Sequence, residues 1–344
     1  MPSERALLVR SVLDDYGRAT SAGIGRYMHN ASDDPRLFEL VNDYPSRGGR
    51  SLRASLCIAA ARAFGGRPEH AIQSAIALEL MHNAFLIHDD VEDESEERRG
   101  KPALHVLHGV PIAINAGDGL AVLSLEPLID NRQTLGPRLA FDVLREAQRM
   151  ALETVEGQTL ELAWRHENAT GLSTDDYLHM VLKKTCWYTT IFPCRVGALI
   201  GTRGGVEANA FVRFGFFLGA AFQIQDDVLN LVGDHRKYGK ELGGDILEGK
   251  RTLMLIHLLG AVSEDTRRTL HRLLAGPRRK RRARDVERIL RLMDTHGSIE
   301  HARETANALA GAAAFEFELA FANAKRSRDR DFIEALPYWI LERA

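Results

Sequence analysis

Two acidic clusters carry the most evident chemistry in the chain, Asp89-Asp90-Val-Glu-Asp93 and Asp226-Asp227-Val-Leu-Asn230. In the first, Asp89 and Asp93 stand one helical turn apart, so both carboxylates project from one face with Asp90 beside them. Unpaired, these acids repel one another. A hard divalent cation relieves the repulsion, and Mg2+ suits one or two carboxylates per ion, with water and phosphate oxygens completing its shell. The spacing therefore points to a metal-diphosphate clamp and not to an all-protein cage. The second cluster repeats the Asp-Asp pair, so both can face one diphosphate if their helices pack side by side. Its last position, Asn230, is at best a neutral ligand. Either cluster alone reads as a solvated helix end. Two clusters, each ending an apolar helix and each followed by basic residues, read as a site.

Basic residues surround the acids in the sequence. Arg98-Arg99-Gly-Lys101-Pro102 follows the first cluster by little more than a turn, and its guanidinium groups can fork onto phosphate oxygens. Upstream, Gly48-Gly49-Arg50-Ser51-Leu52-Arg53 sets two cations at a glycine-rich turn leading into a helix, a second candidate anion site. Lys184-Thr185, Lys240 and Lys250 lie near predicted helix ends and would pass for surface lysines without the acids. His82, two turns before Asp89, reads equally as a phosphate donor and as a satisfied core residue. Gly244-Asp-Ile-Leu-Glu-Gly249-Lys250 has the spacing of a nucleotide-binding loop. Arg251 replaces the required Ser or Thr, two acids occupy the loop and no strand precedes it, which excludes that reading.

The elements that must position these residues read as helices. Ile72, Ala75, Ile76, Leu80, Ala84 and Ile87 recur at three- and four-residue steps from Ala71 to Asp90. Phe211, Phe214, Phe217, Leu218, Phe222 and Leu229 form a broad apolar surface over 208–231. Further helical stretches fall near 50–64, 116–130, 138–165, 175–201, 252–275, 284–295 and 299–324, while strand alternation is hard to find. The expectation is an all-α protein. Turn formers cluster at 43–49, 64–68, 99–102 and 238–244, but none makes an interdomain linker, so residues 1–344 are expected to form a single domain.

Composition bounds the partners. Lys and Arg number 45 against 47 Asp and Glu, a net charge of -2, which supplies no global field for nucleic acid or an anionic membrane. The run Pro277–Arg284 is strongly basic but has no interleaved aromatic residue, and reads as a solvated loop between helices. Cys57, Cys186 and Cys194 are sparse and lack metal-ligand spacing, which fits a reducing cytoplasm. There, the sequons at Asn30 and Asn168 have no meaning. The first residues lack a secretory apolar region, and no stretch of about 18 uncharged apolar residues predicts an integral membrane segment.

With these motifs in hand, the chain resembles a trans-prenyl (polyprenyl) diphosphate synthase, most closely the geranylgeranyl diphosphate synthases. The resemblance spans roughly residues 45–260 and is carried by Gly48–Arg53, Leu80–Asp90, Arg98–Pro102, Asn115–Asp118, Gly157-Gln158, Lys184-Thr185 and Phe222–Asp227. Lys240, Asp245 and Glu248-Gly-Lys250 continue the family's order. The resemblance implies an isoprenoid-synthase-type helical bundle around a deep central cavity, usually a homodimer.

It also implies residue roles. Asp89, Asp93 and Asp226 would be direct Mg2+ ligands, three ions being expected with diphosphate bound, with Asp90 and Asp227 supporting them. Arg98, Lys184 and Lys240 would grip the allylic diphosphate; Arg50, Arg53, His82 and Arg99 would bind isopentenyl diphosphate. Thr185, Gln223 and Lys250 would complete the substrate-binding set. Ionisation of the allylic diphosphate gives a carbocation, which the double bond of isopentenyl diphosphate attacks, lengthening the chain by five carbons. The sequence departs from the common pattern at Arg50, where lysine is usual, at Ser51 and Ala54, at Glu161 and at Asn230. Phe85 and Ala84, four and five positions before Asp89, are expected to set the product length. One aromatic beside one alanine implies C15 to C20, with geranylgeranyl diphosphate as the expected product. Two alternatives are a class I terpene cyclase, against which the second Asp-Asp cluster and the isopentenyl-site arginines argue, and a non-catalytic regulatory subunit.

Overall fold

The helix-period stretches fold as helices, several of them cut in two by a local break. The computed structural model describes residues 3–29, 34–233 and 243–343. The chain opens with α1 (Glu4–His29), α2 (Pro35–Ser46), α3 (Leu52–Ala63) and α4 (Pro68–Glu92), the last carrying the first acidic cluster at its end. An antiparallel ribbon, β1 (Glu97–Arg98) and β2 (Lys101–Pro102), leads to α5 (Leu104–His108), α6 (Val110–Leu123), α7 (Leu125–Leu135) and α8 (Pro137–His166). Then α9 (Thr174–Val181), a π-helix (Leu182–Ile191) and α10 (Phe192–Gly201) follow without a gap. After a 3-10 turn, α11 (Val212–Val232) carries the second cluster, and α12 (Gly244–Glu248) and α13 (Leu253–Ala261) come next. The order closes with α14 (Glu264–Leu274), α15 (Ala283–Thr295), α16 (Ser298–Ala320) and α17 (Arg328–Leu341).

Several elements differ from the sequence expectation for physical reasons. The stretch expected at 116–130 starts earlier and divides at Ser124, and that expected at 252–275 divides before Ser263, whose hydroxyl caps the first turn of α14. α1 and α17 add helices at the two ends that periodicity did not single out. α1 buries mainly small residues such as Ala6, Val9 and Gly23, and α17 contains Pro337. The ribbon is too short to print an alternation. Its turn is visible in Arg99 and Gly100, both with positive φ, the mirror-image geometry that joins two strands tightly.

The basic run is only partly solvated. Arg279, Lys280, Arg282 and Arg284 are exposed, as expected. Arg281 is half-buried and acts as a splint, donating from Nε to Leu247 O at 2.7 Å and from Nη1 to Leu274 O and Gly276 O at 2.9 and 2.6 Å.

The core joins the ends of the chain to its middle. Phe211 and Phe214 pack with Phe317, Phe321 and Phe332 in a cluster that also takes in Val9, Val12 and Leu56. Burying each such ring contributes about 1.5–3 kcal/mol. The π-helix is wedged between α8 and α11 by three glycines. A Cβ on Gly157 would lie 2.1 Å from the Lys184 backbone nitrogen, and one on Gly215 or Gly219 would strike Ile191 or Cys186 and Thr190. These contacts fix the height of Lys184 and Thr185. The run Val110–Leu135 is long and apolar enough to cross a membrane by length and composition, but here it forms two helices packed on α4 and α8.

Candidate active site

One face of α4 opens a cavity of about 370 Å³. Glu79, His82, Leu86 and Asp89 line it at helical spacing, with Tyr177, Lys184, Thr185, Tyr188, Gln223 and Asp226 opposite. Asp89 and Asp226 thus face the same space from two helices, as the paired clusters predict.

In the first cluster Asp89 alone lines the cavity, while in the second both Asp226 and Asp227 do. Asp89 accepts from Lys184 Nζ and from Gln158 Nε2, each at 3.2 Å. Asp90 is fully buried, taken up by the Arg98 fork and by the Tyr44 hydroxyl at 2.5 Å. It reaches the cavity only through Arg98, whose Nη2 lies 4.0 Å from Asp89. Burial works against the Arg98 charge, but Asp90 and then Asp89 outweigh it and raise the pKa above the ordinary value. Asp93, at the end of α4, is paired with Arg165 and with Lys250 Nζ at 2.9 Å. In the second cluster Asp226 accepts from Arg343 at 2.6 Å, while Asp227 accepts from Tyr177 and Gln223, both at 2.7 Å. Burial, and then the charge of Asp245, raise the Asp227 pKa above the ordinary carboxylate range.

The expected cations gather in two groups. Lys184 bridges Asp89 and Glu161, the latter at 2.9 Å, and Lys250 joins Asp93, Glu248 and Asp245. Their attraction to these carboxylates overcomes desolvation and raises both lysine pKa values. Thr185 donates to Gln223 at 3.0 Å, closing a chain to Asp227. Arg50 just before α3, Arg53 on α3, His82 on α4 and Arg99 in the ribbon turn line the same cavity. Arg53 lies 3.3 Å from His82 Nε2 and over the Tyr188 ring, and Arg99 donates to Tyr44 O and Asn83. His82 is kept well below its ordinary pKa by burial, then by Arg53 and Arg99, so it is a neutral ring. Lys240 lies outside the described residues.

Five predicted site residues do not line the cavity: Asp90 and Asp93, each held by the cations named above, and Asn230, Ala84 and Phe85. Asn230 is buried and its Oδ1 accepts from the Asp245 backbone N–H at 3.2 Å, so it braces α12. Ala84 packs with Met28, Val41 and Tyr44 on the other side of α4. Phe85 stands behind Tyr188, ring edge to face at 5.9 Å, and Tyr188 itself lines the cavity.

The cavity also has members that the motifs did not announce. Glu79, Tyr177, Tyr188, Trp339 and Arg343 line it, and Arg165 pairs with Asp93. Glu79 and Tyr188 share helical spacing with His82 and Lys184, a legible signal. Trp339 and Arg343 come from the far end of the sequence and carry none.

The donor set suits Mg2+. Asp89 and Asp226 present hard carboxylate oxygens to one space, and Asp89, Asp93 and Asp226 are each held by a cationic side chain, a pairing that a divalent cation can replace.

A helical bundle with two facing aspartate clusters over one cation-lined cavity defines a class, and the sequence agrees: the chain belongs to the polyprenyl synthetase family, whose profile it matches over residues 34–293. It is 36% identical over 259 residues to the short chain isoprenyl diphosphate synthase of Methanothermobacter thermautotrophicus, covering 75% of this chain and 77% of that one. The crystal structure of geranylgeranyl pyrophosphate synthetase from Pyrococcus horikoshii superposes with a TM-score of 0.84 at 30% identity, over 99% of this chain and 100% of that chain. Polyprenyl synthase from Caulobacter crescentus, solved with calcium and isoprenyl diphosphate, gives 0.84 at 28% identity over 97% of each.

Proposed function

We propose that the protein is a trans-prenyltransferase that condenses an allylic diphosphate with isopentenyl diphosphate, head to tail, to give geranylgeranyl diphosphate. One observation carries this reading. The cavity has two separate cationic groups, one interleaved with the aspartates and one made of Arg50, Arg53 and Arg99 beside neutral His82. Two anion sites on one cavity suit two diphosphate substrates, whereas a terpene cyclase needs one. Asp89, Asp93 and Asp226 are the residues that would hold Mg2+, which neutralises the departing diphosphate. Lys184 and Arg98 are placed to stabilise that leaving group, while Asp90, Asp227 and Gln223 fix the geometry of their neighbours. Arg53, Arg99 and His82 orient the second substrate toward it.

Val122, Ile129, Phe141, Leu152 and Val155 on α6, α7 and α8 are exposed apolar side chains, and we read this face as the contact of a homodimer. Residues 1–344 are read as one domain, because α1 and α17 share a core cluster with α3 and α11. A cytoplasmic setting fits the three cysteines, all buried and unbridged.

The test is substrate dependence. The purified chain with Mg2+ should release inorganic diphosphate from farnesyl diphosphate only when isopentenyl diphosphate is present. Release from the allylic substrate alone, with a hydrocarbon product, would establish a cyclase; no release under either condition would support the non-catalytic subunit.

A further inference from the structure

The cations that hold the aspartates differ in what anchors them. Lys184 extends from the π-helix locked by Gly157 and Gly219, and Lys250 lies between two helices whose apolar residues join one cluster. Arg343 lies two residues beyond α17. Its guanidinium nevertheless reaches back into the cavity. Nη2 donates to Asp226 Oδ1 at 2.6 Å, and the group lies 4.4 Å from the Phe222 ring centre and 5.6 Å from that of Trp339. The backbone carbonyl accepts from Gln225 Nε2 at 3.1 Å. The side chain is only 9% exposed, yet Nε and Nη1 have no hydrogen-bond partner. A buried guanidinium with donors to spare is not a finished structural contact.

Asp226 is also the carboxylate assigned above to a divalent cation. A guanidinium nitrogen on Oδ1 blocks that oxygen to an ion that must approach to about 2.0–2.1 Å, and the two positive charges repel across the same carboxylate. We propose that Arg343 is a built-in competitor for the metal at Asp226: it neutralises the carboxylate while no metal is bound, and metal loading displaces its side chain. The proposal rests on reading Asp226 as a metal ligand. The displaced group leaves the faces of Phe222 and Trp339, so metal binding is coupled to the environment of a tryptophan.

Mn2+ alone serves as the probe, with free ion counted by electron paramagnetic resonance on the full chain. Arg343→Gln should tighten the binding of one ion roughly tenfold, the fold-change of a single charge-assisted contact. In an Asp226→Asn background the same substitution should change nothing. Mg2+ should alter the tryptophan emission of the parent protein, and that response should vanish in both Arg343→Gln and Trp339→Phe. If Arg343→Gln fails to fold, Arg343→Lys, which keeps the charge but loses the guanidinium plane that lies against Phe222, carries the same test with a smaller shift. Unchanged or weaker Mn2+ binding in the folded variant overturns the competitor role, as does tightening that persists with Asp226→Asn. Should Asp226→Asn alone leave Mn2+ binding unaltered, the metal assignment itself is wrong and the competitor falls with it.

Discussion

At the residue scale, identical side chains in one motif do different work because burial and partners differ. Asp226 faces the cavity, while Asn230, one helical turn later, is 2% exposed and braces the backbone of Asp245. Asp226→Ala is therefore expected to lower kcat by at least about 10²-fold with little change in melting temperature. Asn230→Ala should destabilise by about 1–3 kcal/mol, the effect of stranding a buried amide, and spare more activity. Equal catalytic losses, with no loss of stability in Asn230→Ala, would contradict the division. His82 offers a pH signature. Its folded-state pKa is lowered from 6.5 by burial and then by Arg53, Arg99 and Arg98. The unfolded chain binds this proton first, so the contribution is fully present above about pH 6.5 and is lost as pH falls through the lower folded value. Denaturant midpoints at pH 7.5 and 5.5 should converge in His82→Gln relative to the parent; an unchanged difference would show that folding does not lower the His82 pKa.

At the element scale, catalytic lysine placement depends on glycines that permit close helix crossings. Gly157→Ala would set a methyl group against the Lys184 backbone, whereas Gly171 has open space around it. Gly157→Ala should cost about 1–3 kcal/mol by overpacking and raise KM for the allylic substrate, with Gly171→Ala as the neutral control. A crystal structure of Gly157→Ala with Lys184 unmoved would refute the argument. The product-length wall is also a matter of which face of α4 is presented. Phe85 backs Tyr188 at the cavity, and Ala84 points into the cluster around Met28 and Tyr44. Phe85→Ala is accordingly expected to lengthen the product, whereas Ala84→Phe should destabilise the fold and leave product length unchanged. Mass analysis of the products decides; a shorter product from Ala84→Phe would restore that position to the wall.

At the scale of the whole molecule, legibility follows contact range. The cluster-bearing helices α4 and α11 were readable because their periodicity, acids and following cations are local. The gathering of Arg50, Arg53, His82 and Arg99 was implied by the family resemblance and not by their own spacing. The π-helix was not, since i to i+5 bonding over Leu182–Ile191 is imposed by packing against Gly157, Gly215 and Gly219 and leaves no period of its own. Arg343 and Trp339 were invisible for another reason: their place in the cavity depends on α17 docking on α1 and α3, a contact made over nearly the full length of the chain. Asp90 and Asn230 look like site residues in the sequence, and only their buried partners show them to be braces.

In the proposed reaction an allylic diphosphate and isopentenyl diphosphate meet in this cavity and leave as one longer prenyl diphosphate and inorganic diphosphate. Its most direct test is the mass of the product formed from isotope-labelled isopentenyl diphosphate with dimethylallyl, geranyl or farnesyl diphosphate and Mg2+. A dominant C20 diphosphate is expected from all three primers, carrying one labelled unit from farnesyl and three from dimethylallyl diphosphate. A dominant C10 or C40 product, or an unlabelled hydrocarbon, would contradict it.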